Sequence, residues 1–138
     1  MARSGTWADT AVATAEAGHI RTDDGELSIA LASPLVPQGR GLTPEQLLAA
    51  AFASCLHHAA VEAATEITDE AHTVEVRAEA TLSRDADGRH RAKISASVGS
   101  VGLTRDEVTR LAQRAEQLWP FSDGSFTLSV SPAQHSHR

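Results

Sequence analysis

The 138-residue chain has one cysteine, one methionine, no tyrosine and only 4% aromatic residues. A lone cysteine cannot form an intrachain disulfide, so Cys55 is either a small buried hydrophobe or a reactive thiol. Lysine is nearly absent: Lys93 stands alone, and the arginines are scattered along the chain. With a net charge of −6, the sequence lacks the clustered basic face that nucleic acid requires. Long apolar runs are missing as well. Met1 to Trp7 has no apolar core of signal-peptide length. Thr43 to Ala64 comes nearest to a membrane span, but Glu45, His57, His58 and Glu62 interrupt it. These absences point to a cytoplasmic protein that binds neither nucleic acid nor membrane.

What is present suits a single domain over residues 1–138, with 41% hydrophobic and 22% charged residues and enough chain to bury a core without staples. Thr10 to Glu16 is a weak strand, and Glu26 to Ala32 a clearer one with Leu27, Ile29 and Leu31 on one face. Thr22-Asp23-Asp24-Gly25 is a hairpin turn between them, and Ser33 to Gly41 is a loop. His72 to Ser83 and Arg89 to Val98 both alternate, and Asp85-Ala86-Asp87-Gly88 joins them as a second hairpin. Thr104-Arg105-Asp106-Glu107 is a capping box that opens an amphipathic helix with Val108, Leu111, Ala112, Ala115 and Leu118 on its apolar stripe. Pro120 ends that helix, Ser125 to Val130 forms a last strand, and Gln134 to Arg138 frays. The order predicts an α+β fold with two main helices against antiparallel sheet.

The central helix is the most informative segment. Thr43 suits the N-cap, Pro44 the first helical position and Gln46 the far side of a capping box. From Leu47 to Leu56 it is apolar on every side, the pattern of a helix packed on all faces. It runs to about Ala64.

The segment from Thr43-Pro44-Glu45-Gln46-Leu47 to Ser54-Cys55 resembles the N-P-E-Q-L-x-A-A-x-x-A-A-C motif of organic hydroperoxide resistance proteins and osmotically inducible protein C. Leu118-Trp119-Pro120-Phe121-Ser122 is similar to that family's V-C-P-Y-S motif, and Asp24-Gly25-Glu26-Leu27 to its D-G-x-L hairpin. The resemblance implies an OsmC-like fold and an intertwined homodimer with interfacial active sites. It also implies reduction of organic hydroperoxides in the oxidative-stress response, without cofactor or metal. It places Cys55 at the peroxidatic position and Glu45 at the carboxylate that positions thiolate and substrate. Trp119 falls where a resolving cysteine is usual and Glu16 where an arginine is usual. An external thiol or dithiol must therefore resolve the sulfenic acid.

A thiol attacks peroxide only as thiolate, and a free cysteine of pKa about 8.5 is mostly protonated at neutral pH. Cys55 lies too deep in its helix for the N-terminal dipole to help, so a cation must act. His58 shares a face with Cys55 at i+3, and Arg40 lies just before Glu45; Arg21 is a further candidate. Phe52 and Trp119 supply apolar surface for an alkyl chain or are simply core. Glu45 suits a helix first turn by the dipole alone. Ten residues of helix separate it from Cys55 by roughly 15 Å, so it serves a thiol in a partner chain or acts through a network. Glu16 opposes a thiolate if it lies near one, and is otherwise a solvated strand residue. His57 with His58, and His135 with His137, lack metal-ligand spacing. The competing expectation is a binding protein on the same fold that has lost peroxidase activity.

Overall fold

The structure, a computed structural model of the chain, describes residues 9–32, 40–68, 74–119 and 127–133. The expectations for the tail at 134–138, for most of the loop at 33–39 and for Pro120 to Ser122 lie outside those residues. Contacts divide the chain into two compact units, Met1–Thr43 and Pro44–Arg138.

The first unit is a three-stranded antiparallel sheet of β1 (Ala13–Glu16), β2 (His19–Thr22) and β3 (Ser28–Ala30), with β2 in the middle. Ala17 and Gly18 join β1 to β2 with φ of 53° and 74°, the left-handed pair that a two-residue hairpin favours. The second turn is the expected one: the Gly25 N–H donates to the Thr22 carbonyl at 2.9 Å. The Asp24 carboxylate accepts from the Thr22 hydroxyl at 2.6 Å and from the Glu26 N–H at 3.0 Å. Those bonds, the Thr22 hydroxyl first, hold its pKa below the usual range. β2 itself corrects the sequence reading, which runs the turn straight back to residues 10–16. His-Ile-Arg-Thr has one apolar residue in four, too little for alternation to register. Past β3, Leu31 and Leu42 form an isolated parallel bridge. Gly41 sits between with φ +136°, where a Cβ would lie 2.5 Å from the Leu31 carbonyl carbon; glycine alone fits.

The second unit contains α1 (Pro44–Ile67), β4 (Val74–Arg84), β5 (His90–Ser100), α2 (Arg105–Leu118) and β6 (Thr127–Pro132). β4 and β5 form the long antiparallel hairpin expected, from Val74 opposite Ser100 to Arg84 opposite His90. Val74, Val76, Ala78, Ala80 and Leu82 face inward together and the residues between them are exposed. β6 then adds to β5 in parallel, so the sheet is mixed rather than antiparallel. The connection through α2 is long enough to carry the chain back to the same end of the sheet, which parallel pairing requires. α2 opens on the capping box: the Glu107 N–H donates to the Thr104 hydroxyl at 3.2 Å and the Thr104 N–H to the Glu107 carboxylate at 2.9 Å.

α1 lies against β4, β5 and α2. Its buried residues are Phe52, Leu56, Ala59, Ala60, Ala63 and Ala64, none of them in its first two turns. Within this chain it is therefore not packed on all faces: the sheet and α2 cover one side, and Ala50, Ala51 and Val61 are exposed. Length and apolar content would by themselves suit a membrane span, but the burial of that side against sheet and helix is the packing of a core helix. One fork-like ion pair ties the helices, Arg114 Nε to Glu66 Oε1 at 2.7 Å and Nη2 to Oε2 at 3.3 Å.

The Arg114 hydrogen bonds hold the Glu66 carboxyl below its ordinary 4.5. A depressed carboxyl stabilises the fold above its unfolded pKa, and that contribution is lost as pH falls through the folded value. Glu66→Gln is accordingly expected to flatten part of the stability loss below about pH 4.5, measured by urea unfolding across the acid range. An unchanged acid slope would show that the pair carries no linkage. Thr104→Ala, which opens the capping box of α2, should lower stability by about 1 kcal/mol in the same assay.

Candidate functional site

Cys55 sits on α1 one turn after Phe52 and beside Leu56, and its side chain is half-buried against the core. Trp119 comes to it from the end of α2. The helix stops there because Trp119 takes extended backbone angles (φ −72°, ψ 125°) while its N–H still donates to the Glu116 carbonyl. Its indole is 1% exposed and meets the Phe52 ring edge-on, with centroids 5.6 Å apart and planes at 88°, the geometry that aromatic quadrupoles favour. Cys55 packs against the same buried cluster. Phe52, Cys55 and Trp119 therefore form one constellation, and Trp119 is at once core aromatic and neighbour of the sulfur.

Two effects act on that thiol. Burial pushes its pKa up from the usual 9.0, and the indole of Trp119 nearby pulls the other way without cancelling it. His58, at i+3, is exposed, as is His57.

Glu45 lies elsewhere, in the first turn of α1. It lines an open cleft of about 290 Å³ with Pro44, Leu82, Ser83, Arg84 and His90. Arg84 and His90 face each other across the end of the β4–β5 hairpin, Nη2 to Nε2 at 3.1 Å. The sequence reading names neither. A signal existed: the Asp85–Gly88 turn puts residues 84 and 90 in register, and β4 runs back to the level where α1 starts. Glu16 and Arg40 belong to the N-terminal unit. Glu16 ends β1 opposite His19, and both it and Arg40 are exposed. Arg21, in the middle of that sheet, is exposed too. Among the described residues no three His, Cys, Asp or Glu side chains lie close enough together to hold a metal ion.

Residues 37–130 match the family of OsmC-like proteins. The chain is 33% identical over 113 residues to the organic hydroperoxide resistance protein OhrB of Bacillus subtilis, covering 77% of this chain and 79% of that protein. The crystal structure of a Bacillus subtilis OhrB superposes with a TM-score of 0.77 at 28% identity, over 91% of this chain and 98% of the other. An organic hydroperoxide resistance protein OsmC from Legionella pneumophila gives a TM-score of 0.81 at 26% identity, over 94% and 100% of the two chains. Both superpositions bear out the α+β fold.

A thiol whose folded pKa is raised keeps its contribution to stability below the unfolded value and loses it as pH rises through the folded value. The reduced protein should therefore lose stability as pH is raised from neutral to alkaline values above about 8.5, and Cys55→Ser should remove that part of the slope. Denaturant unfolding at neutral and alkaline pH checks it. A slope unaffected by Cys55→Ser would mean that something beyond this chain's own packing restores the thiolate.

Proposed function

The chain belongs to the family of OsmC-like proteins, and on that footing we propose that it reduces organic hydroperoxides with Cys55 as its single peroxidatic thiol. The observation that carries this reading is the setting of Cys55: a partly exposed free thiol on the motif helix, packed against the apolar core that contains Phe52 and Trp119. The thiolate attacks the distal peroxide oxygen, the O–O bond breaks, and the alkoxide leaves as an alcohol after taking a proton. Sulfur is oxidised by two electrons to the sulfenic acid. An external thiol then displaces water to give a mixed disulfide. A second thiol, or the other arm of a dithiol, releases Cys55 reduced. No metal or prosthetic group enters this sequence.

Glu45 is the carboxylate of the site, and a homodimer completes it. Ten residues of one helix hold Glu45 and Cys55 roughly 15 Å apart along the axis, so one chain's Glu45 serves the partner's thiol. The exposed Ala50, Ala51 and Val61 on α1 suit a covering second copy, since apolar helix surface is costly in water. Arg84, which shares the Glu45 cleft, joins Arg40 and His58 as a source of the positive charge that Glu16 does not supply. A reducing cytoplasm matches a single thiol that must be recycled.

A second reading has its own support. Burial raises the Cys55 thiol in this chain, which suits a binding protein with an apolar pocket and no turnover.

Intact-mass analysis of the reduced protein, after brief exposure to an alkyl hydroperoxide with a sulfenic-acid trap present, separates the two. Rapid trapping at Cys55, faster than with hydrogen peroxide and absent in Cys55→Ser, is the expected result. Glu45→Gln should slow trapping roughly 10- to 100-fold, the loss of one hydrogen bond to a charged group. A thiol that reacts no faster than free cysteine would leave the binding reading standing.

A further inference from the structure

The cleft at the start of α1 brings a carboxylate and a permanent cation together from different elements. Glu45 lies in the first turn of α1, Arg84 ends β4 and His90 begins β5, and all three line the same opening. Strand register sets Arg84 opposite His90, and their side chains meet, Nη2 to Nε2 at 3.1 Å. A guanidinium only donates. The bond therefore requires Nε2 to accept, which makes the His90 ring neutral with its proton on Nδ1. An imidazole that accepts in this way fixes the guanidinium in place without cancelling its charge.

That sets Arg84 apart from the arginines around it. Arg77 lies on Glu79 at 3.1 Å, Arg91 on Asp85 at 2.6 Å and Arg114 on Glu66 at 2.7 Å. Among the described residues neither Arg84 nor Glu45 makes such a pair, although both line one cleft of about 290 Å³. An opening with an anion and a cation that do not neutralise each other can take a third polar group between them. The other candidate cations lie elsewhere: Arg40 belongs to the N-terminal unit, and His58 is exposed on α1 three residues from Cys55.

We propose that Arg84, held by His90, is the cation of the peroxidase site, acting with Glu45 on the Cys55 thiolate of a second copy of the chain. This rests on the peroxidase reading and deepens it. Glu45 stands roughly 15 Å along α1 from the Cys55 of its own chain, so the cleft serves a thiol that the partner brings. A guanidinium beside sulfur favours thiolate over thiol, the form that burial disfavours. Arg84 forms and breaks no covalent bond in the reaction; it stabilises the charge on sulfur that attack requires. His90 is a positioning residue that acts through Arg84.

Arg84 and His90 are both exposed, so substitution there leaves the core intact. Arg84→Gln should raise the Cys55 thiol pKa by about one unit and slow sulfenic-acid trapping at neutral pH about tenfold. The limiting rate at high pH should change less than about threefold, since what is lost is the fraction of thiolate. Arg84→Lys, which keeps the charge without the fork, should recover part of the loss. His90→Leu, which removes the acceptor, should slow trapping about threefold, and His90→Gln should restore most of that. A merely structural role would lower the rate at every pH and leave the thiol pKa in place.

Mixed subunits decide whether the cation works across chains. Cys55→Ser supplies an intact cleft without a thiol, and Arg84→Gln a thiol without the cation. Co-expressed and purified as mixed dimers, the pair should trap sulfenic acid at a rate that returns toward wild type. Mixed dimers no faster than Arg84→Gln alone, chains that stay monomeric, or an Arg84→Gln variant with unchanged thiol pKa and rate would overturn the proposal. Alkylation by iodoacetamide reports the thiolate without any peroxide, which keeps the two readings separable. If the wild-type protein reacts no faster with alkyl hydroperoxide than free cysteine does, the peroxidase function fails, while the pKa and alkylation rates still decide whether Arg84 acts on Cys55.

Discussion

Ala60 and Ala63 are fully buried and contribute only a methyl group each, so α1 meets the sheet and α2 through side chains that hold the backbones close. Larger residues fill the space above and below: Phe52 and Leu56 on α1, Leu111 on α2, Ile94 and Val98 on β5. The close seat fixes the rotation of α1 about its axis. With Leu56 and Ala60 inward, Cys55 falls at the border of the buried side, half in the core and half out. Its accessibility follows from packing that has no direct connection with chemistry. A core residue moved outward by one position would have delivered either a fully buried thiol or a fully solvated one.

That border position sets two demands against each other. A buried sulfur is protected from indiscriminate oxidation, but burial disfavours the thiolate that attacks peroxide. Within the chain the balance falls toward the neutral thiol. On the proposed reaction the deficit is met by positive charge brought to the site, from His58 on α1 or from other elements. The Glu45 cleft, with Arg84 and His90 on its far wall, is one such source, and it lies at the opposite end of the helix half that carries Cys55. An antiparallel second copy would bring the two ends together, which is how a site can be assembled from residues that no single helix can join.

Much of this was legible in the residues. The capping box of α2, the Asp-Gly turns and the alternation of β4 and β5 are local signals in which side-chain chemistry and backbone conformation agree, and the structure follows them. The failures share a cause. β2 is too short and too polar for periodicity to reveal it. The parallel seating of β6 depends on where α2 docks, which no local pattern encodes. The all-round apolar half of α1 reads as buried because periodicity reports what a helix avoids, and not which chain covers it. At the site, Cys55 and Glu45 stood out through their motif. Arg84 and His90 emerge only when the hairpin register is carried to its end and laid against the start of α1.

On the proposed reaction, an indole at residue 119, where the family resemblance implies a resolving thiol, also changes the kinetics open to such a site. An internal resolving thiol attacks at an effective concentration set by geometry, so an intramolecular disulfide forms before a bulky reductant has to approach. On that reading, with an indole at residue 119, resolution is bimolecular, and its rate depends on the reductant's concentration and its access to Cys55. Selectivity moves accordingly. Peroxide and reductant must both reach the same half-buried sulfur, so the packing that limits access to Cys55 bears on both steps.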